Sequence, residues 1–189
     1  MAFPSFAMSL LLLFLTMPYS SLSLSCPATS CECELSMQLY LHQIVQGQPT
    51  HNQVVTSETN EPGGFGMHVV VDWAVVDAVQ PNATVIAHAK GQLVRASVGF
   101  PARYVNYFSV VFQNGRFSES TLEVMGNFYD DKNDGQMAVV GGTGEFVSAH
   151  GVIKYKKVQG IPNVESYREF NISASYPATT VSTSHLFCS

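Results

Sequence analysis

The sequence has little charge, and that charge is not arranged for binding nucleic acid. Only 12% of the 189 residues are charged, with 9 Lys and Arg against 14 Asp and Glu. Contact with phosphate backbones requires clustered Lys and Arg. The one basic cluster, Lys154–Lys157, would place its lysines partly on opposite faces of a strand. We therefore predict no nucleic-acid partner, and a compact β-rich domain with a buried apolar interior.

The sequence also lacks the motifs of an independent catalyst. It contains no Gly-x-Ser-x-Gly elbow and no His-x-x-x-His pair. Gly141, Gly142 and Gly144 follow a predicted strand, but neither the Gly-Lys-Ser/Thr run nor the helix of a nucleotide-binding loop comes after them. The six histidines are scattered, and the cysteines lack the paired spacing of structural zinc sites. We predict no metal and no cofactor.

A long apolar run is missing everywhere except near the N-terminus. The stretch Phe6–Met17 has the length of a signal-peptide h-region. A spanning helix needs about 20 apolar residues, which this stretch does not reach. Ser23 and Ser25 are the small residues expected before a cleavage site at Cys26. We predict that residues 1–25 are a signal peptide and that the protein is secreted to the extracellular space, with no membrane association.

Secretion would expose the four cysteines to an oxidising compartment, where disulfides form. Three of them lie in a Cys-rich N-terminal segment, residues 26–36, and the fourth lies next to the C-terminus. We predict a bond between Cys188 and one of Cys26, Cys31 and Cys33. Closing so long a loop adds about 4–5 kcal/mol on the chain-entropy estimate, less any strain.

Two N-glycosylation acceptors agree with secretion. They are Asn82, in Asn-Ala-Thr, and Asn171, in Asn-Ile-Ser. Asn82 follows a proline in a predicted turn, whereas Asn171 lies in a predicted strand and would have to point outward.

The pattern along the rest of the chain is one of strands and turns without an amphipathic helix. Gln46–Gly66 reads as a long polar loop, and Asn114-Gly115 is a two-residue hairpin signal. Strands at this spacing indicate an antiparallel barrel or sandwich. The predicted strands are Met37–Val45, Met67–Val76, Ala83–Ala96, Tyr104–Phe112, Arg116–Met125, Gln136–Val140, Phe146–Lys157 and Glu165–Tyr176.

The most distinctive stretch is Val139-Val140-Gly141-Gly142-Thr143-Gly144-Glu145-Phe146, a strand broken by three glycines. Together with Leu39–Gln43 and Ala87–Gln92, it resembles the plant dirigent proteins over about Met37–Tyr176. The resemblance implies an all-β fold, an eight-stranded antiparallel β-barrel formed by a single domain over residues 37–189. It also implies secretion to the apoplast and assembly as a homodimer or homotrimer.

The resemblance implies a function that depends on a separate oxidase. In that family a laccase or peroxidase makes phenoxy radicals from phenolic precursors, and the barrel binds the radicals and directs which faces couple. Other members steer cyclisation of a quinone methide. The expectation is therefore a protein of lignan or phenylpropanoid biosynthesis with no oxidising centre of its own. The alternative is a secreted, defence-related barrel that binds a small phenolic or a glycan without directing coupling.

The resemblance also suggests positions for a binding site. The candidate substrate-binding residues are Gln43, Asp72, Leu93, Phe128 and Tyr167. Three positions depart from dirigents that direct coupling. Gln43 stands where they have an aspartate, the position of their other acidic residue falls near Phe128, and that of their arginine falls at Gly135. A shift of one or two residues in this loop would bring Asp130, Asp131 or Asp134 to these positions. A glutamine side chain donates and accepts hydrogen bonds but does not transfer a proton at neutral pH.

Overall fold

The computed structural model describes residues 32–129 and 132–177, which form one antiparallel sheet closed on itself. Short 3-10 turns at Pro62–Gly64, Gly115–Phe117 and Gly144–Phe146 lie between strands. The strands are β1 (Glu32–Ile44), β2 (Gln53–Ser57), β3 (His68–Val76), β4 (Val85–Arg95), β5 (Arg103–Phe112), β6 (Thr121–Tyr129), β7 (Asp134–Thr143), β8 (His150–Ile161) and β9 (Glu165–Pro177).

Closure of the barrel depends on the pairing of its first strand with two neighbours. β1 pairs with β9 along its length, and Tyr40–His42 also pair with the C-terminal part of β3. β2 then pairs with the N-terminal part of β3, so that β1 and β2 together cover one edge of that strand. Eight strands, β1 and β3 to β9, therefore close the ring, which leaves few unpaired edges. The predicted eight-stranded antiparallel barrel is confirmed.

Several boundaries differ from the sequence-based expectation. β1 begins at Glu32, so residues 32–36 of the predicted Cys-rich segment belong to the barrel. The predicted loop Gln46–Gly66 contains β2, a strand too short to show a period of two. The predicted two-residue hairpin at Asn114-Gly115 is wrong, because β6 starts only at Thr121.

Packing of Phe117 explains why the tight hairpin does not form. The longer connection lets the Phe117 ring approach Phe112, with centroids 5.9 Å apart, and Phe146, with centroids 4.8 Å apart. Phe117 is half-buried, and the apolar surface that its ring removes from water favours this longer connection over a tight Asn-Gly turn.

The glycine-rich stretch closes one end of the barrel. Val140 is an extra residue in β7, because Val139 and Gly141 pair with adjacent residues of β6. Gly144 has a φ of +64°, a region that favours glycine, and the turn it begins delivers Phe146 to the interior. Phe146 has no exposed surface and meets Tyr176 edge to face at 5.2 Å. The prediction that β8 begins at Phe146 is wrong, since this residue belongs to the end plug and β8 starts at His150.

The predicted processing features fall partly outside the described residues. The signal peptide and Cys26, Cys31 and Cys188 all lie outside them, so the predicted disulfide stays a prediction, and Cys33 is half-buried in β1. Asn82 and Asn171 are both exposed, as glycosylation requires. No helix within residues 32–129 and 132–177 is long and apolar enough to cross a membrane.

Candidate functional site

A cavity of about 410 Å³ opens at the end of the barrel opposite the Phe146 plug. It lies where β1, β4, β6 and β8 end and where β3, β5 and β9 begin. Aliphatic and aromatic side chains form most of its wall. They are Val45, Val55, Met67, Val69, Trp73, Leu93, Tyr104, Phe128, Ile161 and Pro162.

A small polar network is set into this apolar wall. Gln43 accepts two hydrogen bonds at Oε1, one from Arg168 Nε at 2.8 Å and one from Ser166 Oγ at 3.0 Å. Alternation brings the three side chains together, because Gln43 shares the inner face of β1 with Leu39 and Leu41. The hydrogen bond from Arg168 Nε holds the guanidinium group beside Gln43, and the bond from Ser166 helps to hold the Gln43 oxygen in place.

Two aromatic rings support the Arg168 side chain. Its guanidinium carbon lies 4.4 Å from the centroid of Phe128 and 5.9 Å from that of Tyr155. A cation over an aromatic ring is stabilised by about 0.5–2 kcal/mol, more when water is excluded. Arg168 is therefore a positioned positive charge at the cavity wall.

The rim of the cavity adds one further cation and one carboxylate. Lys157 and Glu165 both line it, and Glu165 Oε2 lies 2.8 Å from His42 Nε2. The His42 ring stacks on Tyr167, with centroids 4.1 Å apart and planes 6° apart. Glu165 is thus held from the outer side of the barrel by a histidine that does not line the cavity.

Burial raises the pKa of the Tyr155 phenol, and the nearby Arg168 opposes that effect. The net direction is upward, so Tyr155 stays protonated at neutral pH. Its hydroxyl lies 3.5 Å from the backbone oxygen of Asn127 and acts as a donor rather than as a base.

Three of the five residues suggested from the sequence line the cavity, and two do not. Gln43, Leu93 and Phe128 are part of its wall. Asp72 lies on the outer face, with 55% of its side chain exposed and Oδ1 2.6 Å from His88 Nδ1. Tyr167 also points away from the interior and packs on His42.

Strand alternation explains why Asp72 and Tyr167 do not line the cavity. In β3, Val71 and Trp73 point inward, so Asp72 between them must point outward. In β9, Phe170 and Ile172 point inward, which places Arg168 and Ser166, not Tyr167, on the cavity side.

Arg168 was missed by sequence reasoning, although a signal for it exists. Counting back in steps of two from Phe170 and Ile172 leads to Arg168, a charged residue on an otherwise apolar face. Gly135 lacks the arginine expected from the resemblance. The space that a side chain would fill there is occupied by the hydroxyl of Tyr155.

The donor set of the site does not suggest a metal. Within residues 32–129 and 132–177, no group of three or more His, Cys, Asp or Glu side chains is placed to hold a metal ion. The cavity can bind an aromatic molecule by its walls and hold an electron-rich oxygen beside Arg168.

Comparisons with known proteins agree with this architecture. The sequence model of the dirigent-like protein family matches residues 34–175. Dirigent protein 21 of Arabidopsis thaliana is 29% identical over 140 residues, which are 72% of this chain and 74% of that protein. Dirigent protein 23 of the same plant is 29% identical over 119 residues, 61% of this chain and 63% of that protein.

Solved structures show the same fold. The pterocarpan synthase dirigent protein GePTS1 superposes with a TM-score of 0.73 at 23% identity, covering 84% of this chain and 99% of that one. A second pterocarpan synthase dirigent protein, PsPTS1, gives a TM-score of 0.69 at 22% identity, covering 78% and 97%.

Proposed function

The chain belongs to the dirigent-like protein family, and on that premise we propose that it binds phenolic radicals or quinone methides and directs the stereochemistry of their coupling. A separate laccase or peroxidase would supply the oxidation. The proposal places this chain in lignan or phenylpropanoid biosynthesis.

The observation that carries the proposal is the positioned Arg168 in an aromatic-lined cavity. Its volume of about 410 Å³ falls within the range of about 300–1,000 Å³ typical of small-molecule sites. Trp73, Tyr104 and Phe128 offer flat surfaces for an aromatic guest. Arg168 offers a charge-assisted hydrogen bond to a phenolic or carbonyl oxygen.

In this reaction the protein positions the radicals and takes no part in the oxidation. An external oxidant removes one electron and one proton from each of two phenols. The two radicals then form one carbon–carbon bond with no further exchange of electrons. Holding each ring against a fixed wall, with its oxygen at Arg168, exposes one face to its partner and so selects one product.

The amide at Gln43 bears on which reaction is directed, the coupling of two radicals or the cyclisation of a quinone methide. A quinone methide that closes by internal addition needs a proton at its carbonyl oxygen, and an amide cannot supply one at neutral pH. This favours selection of faces during coupling over acid-assisted cyclisation. The same observation supports a second candidate, a defence-related barrel that binds a phenolic or a glycan without affecting coupling.

A coupling assay distinguishes these candidates. Coniferyl alcohol is oxidised by a one-electron oxidant with and without the purified protein, and the product enantiomers are separated. We expect an excess of one enantiomer that grows with protein concentration. Racemic product at saturating protein contradicts the coupling function for this substrate, and product formed without oxidant contradicts the non-oxidising role.

We further propose that the protein is secreted to the apoplast and carries glycans at Asn82 and Asn171. Their exposure supports this, as does the N-terminal sequence of the chain. Peptide mapping without reduction tests the associated disulfide. A peptide that links Cys188 to Cys26, Cys31 or Cys33 is the expected result, and a free Cys188 thiol contradicts it.

An exposed apolar stripe supports assembly as a homodimer or homotrimer. Tyr107 is 51% exposed and Met125 46% exposed, and the two pair across β5 and β6. Val105 extends the stripe at 42% exposure. Sedimentation of a Tyr107→Glu variant tests the proposal, since a charge in a buried contact should shift the protein toward monomers. If the variant sediments with the same oligomeric mass as the unmodified protein, the subunit interface does not include Tyr107.

A further inference from the structure

Three glutamines line the cavity, and each uses its side-chain oxygen within the protein. Gln43 Oε1 accepts from Arg168 and Ser166, as described above. Gln46 Oε1 accepts from the backbone N–H of Val55 at 2.6 Å. Gln53 Oε1 accepts from Trp73 Nε1 at 2.9 Å. In each case at least one partner is an N–H group that can only donate a hydrogen bond.

These partners determine which way each amide faces. An indole N–H, a backbone N–H and a guanidinium N–H cannot accept a hydrogen bond, so each must meet the oxygen of the amide rather than its nitrogen. The usual ambiguity between the two ends of a glutamine side chain is therefore removed. Within the described residues, the three NH₂ groups donate no hydrogen bond to the protein.

Among the described residues, the lining therefore presents more N–H donors than free acceptors, and the hydroxyl groups of Tyr104 and Ser166, which also line it, can act as either. Lys157 and Arg168 add N–H groups to the three amides. Glu165 is the carboxylate of the described wall, and one of its oxygens is engaged by His42. Asn163, at the rim, offers both kinds of group.

We propose that this site selects aromatic ligands whose side chain ends in an sp² oxygen acceptor, a carbonyl or a carboxylate, over those that end in a hydroxymethyl group. A carbonyl or carboxylate oxygen only accepts hydrogen bonds, whereas a hydroxyl must also find an acceptor for its own proton, so a wall with more donors than acceptors matches the carbonyl or carboxylate better. Such an oxygen receives bonds from the amide groups. The inference rests on the proposed function and names the ligand class for the same site.

Direct binding to three compounds with the same aromatic ring tests the preference. Coniferyl alcohol ends in a hydroxymethyl group, coniferaldehyde in a neutral carbonyl, and ferulate in a carboxylate. Calorimetric or fluorescence titration should give a Kd for coniferaldehyde at least tenfold below that of the alcohol. Ferulate should also bind more tightly than the alcohol, and the difference between aldehyde and ferulate separates the neutral acceptor from the charged one.

A Gln53→Glu substitution tests the role of the amide itself. The change preserves an oxygen for Trp73 Nε1 and converts the remaining donor into an acceptor, with almost no change in shape. We expect the advantage of the aldehyde over the alcohol to fall by tenfold or more. Gln46→Glu makes the same exchange beside Val55 and serves if the first variant is unstable. Gln38→Glu, exposed on β1, introduces the same charge away from the cavity and should change nothing.

Each result decides the proposal. An aldehyde that binds no more tightly than the alcohol overturns it, as does a Gln53→Glu variant, folded by thermal melting, with an unchanged preference. Failure of all three compounds to bind overturns both this inference and the proposed function. An acceptor preference combined with racemic coupling leaves the inference standing and refutes the coupling function alone.

Discussion

Replacing Gln43 by methionine should show how much the hydrogen bonds to its amide oxygen contribute to the stability of the protein. The substitution conserves the length of the side chain but removes the acceptor shared by Arg168 Nε and Ser166 Oγ. A hydrogen bond to a charged group contributes about 1.5–3 kcal/mol and one between neutral groups about 0.5–1.5 kcal/mol. Gln43 is half-buried, so water can replace part of the lost hydrogen bonding. We therefore use the lower value of each range, about 1.5 and about 0.5 kcal/mol.

The expected cost is therefore about 2 kcal/mol in the free energy of unfolding. For a protein of this size that corresponds to a fall of about 4–8 °C in Tm. Urea denaturation and thermal melting of the purified protein measure both quantities. Gln38→Met is the matched control, because Gln38 is exposed on the same strand and should change stability by no more than about 0.5 kcal/mol.

A third variant, Gln43→Glu, separates loss of an acceptor from loss of packing. It offers oxygen to the same two donors and adds attraction to Arg168. The guanidinium should hold the pKa of the introduced carboxyl below its usual range, so the added stability is present at neutral pH and is lost as pH falls through that pKa. Equal stabilities for Gln43→Met and Gln38→Met would refute the claim that Gln43 positions Arg168.

Further predictions concern the barrel around the site. Gly91→Ala should destabilise by about 1–3 kcal/mol in urea denaturation, because the new Cβ would lie 2.5 Å from Phe108 Cα on the neighbouring strand; an unchanged midpoint contradicts this close approach. Phe146→Ala should cost about 3–5 kcal/mol in the same assay by emptying the end plug, and a smaller effect means that the plug collapses onto the space. Burial raises the pKa of Tyr155 and Tyr176, so their contribution to stability should be complete below pH about 10 and fall above it, as followed by phenolate absorbance and thermal melting. If both phenols ionise at the pH usual for tyrosine and Tm does not fall, their pKa values are not raised by burial.

The barrel could be predicted from the sequence because most of its strands carry their own signal. The strands β1, β4 and β5 alternate or contain β-branched and aromatic runs, and turn residues separate them. β2 could not be predicted in the same way, since Gln53–Ser57 is short and partly polar. Its position depends on the exposed edge of β3 that β1 leaves unpaired.

The site was predictable only where the pattern fixes a face. Alternation along β1 correctly places Gln43 inside, whereas the nearly continuous apolar run of β3 gives no indication that Asp72 points outward. Near the start of β9, Tyr167 and Arg168 are adjacent and the sequence does not decide which of them faces the interior; in the structure Arg168 lines the cavity and Tyr167 packs on His42. The contact between Arg168 and Gln43 joins residues far apart in the sequence, and no local pattern encodes it.

The proposed function requires that the cavity beside Arg168, and not another surface of the barrel, directs coupling. The most direct test measures the enantiomeric excess of coupled product for the unmodified protein, for Arg168→Met and for Lys90→Met. Lys90 is a cation on the outer face, near Asp72, and is the control for loss of one positive charge. We expect an excess of one enantiomer with the unmodified protein and with Lys90→Met, and near-racemic product with folded Arg168→Met. An excess that survives Arg168→Met, or is absent from all three, contradicts this expectation.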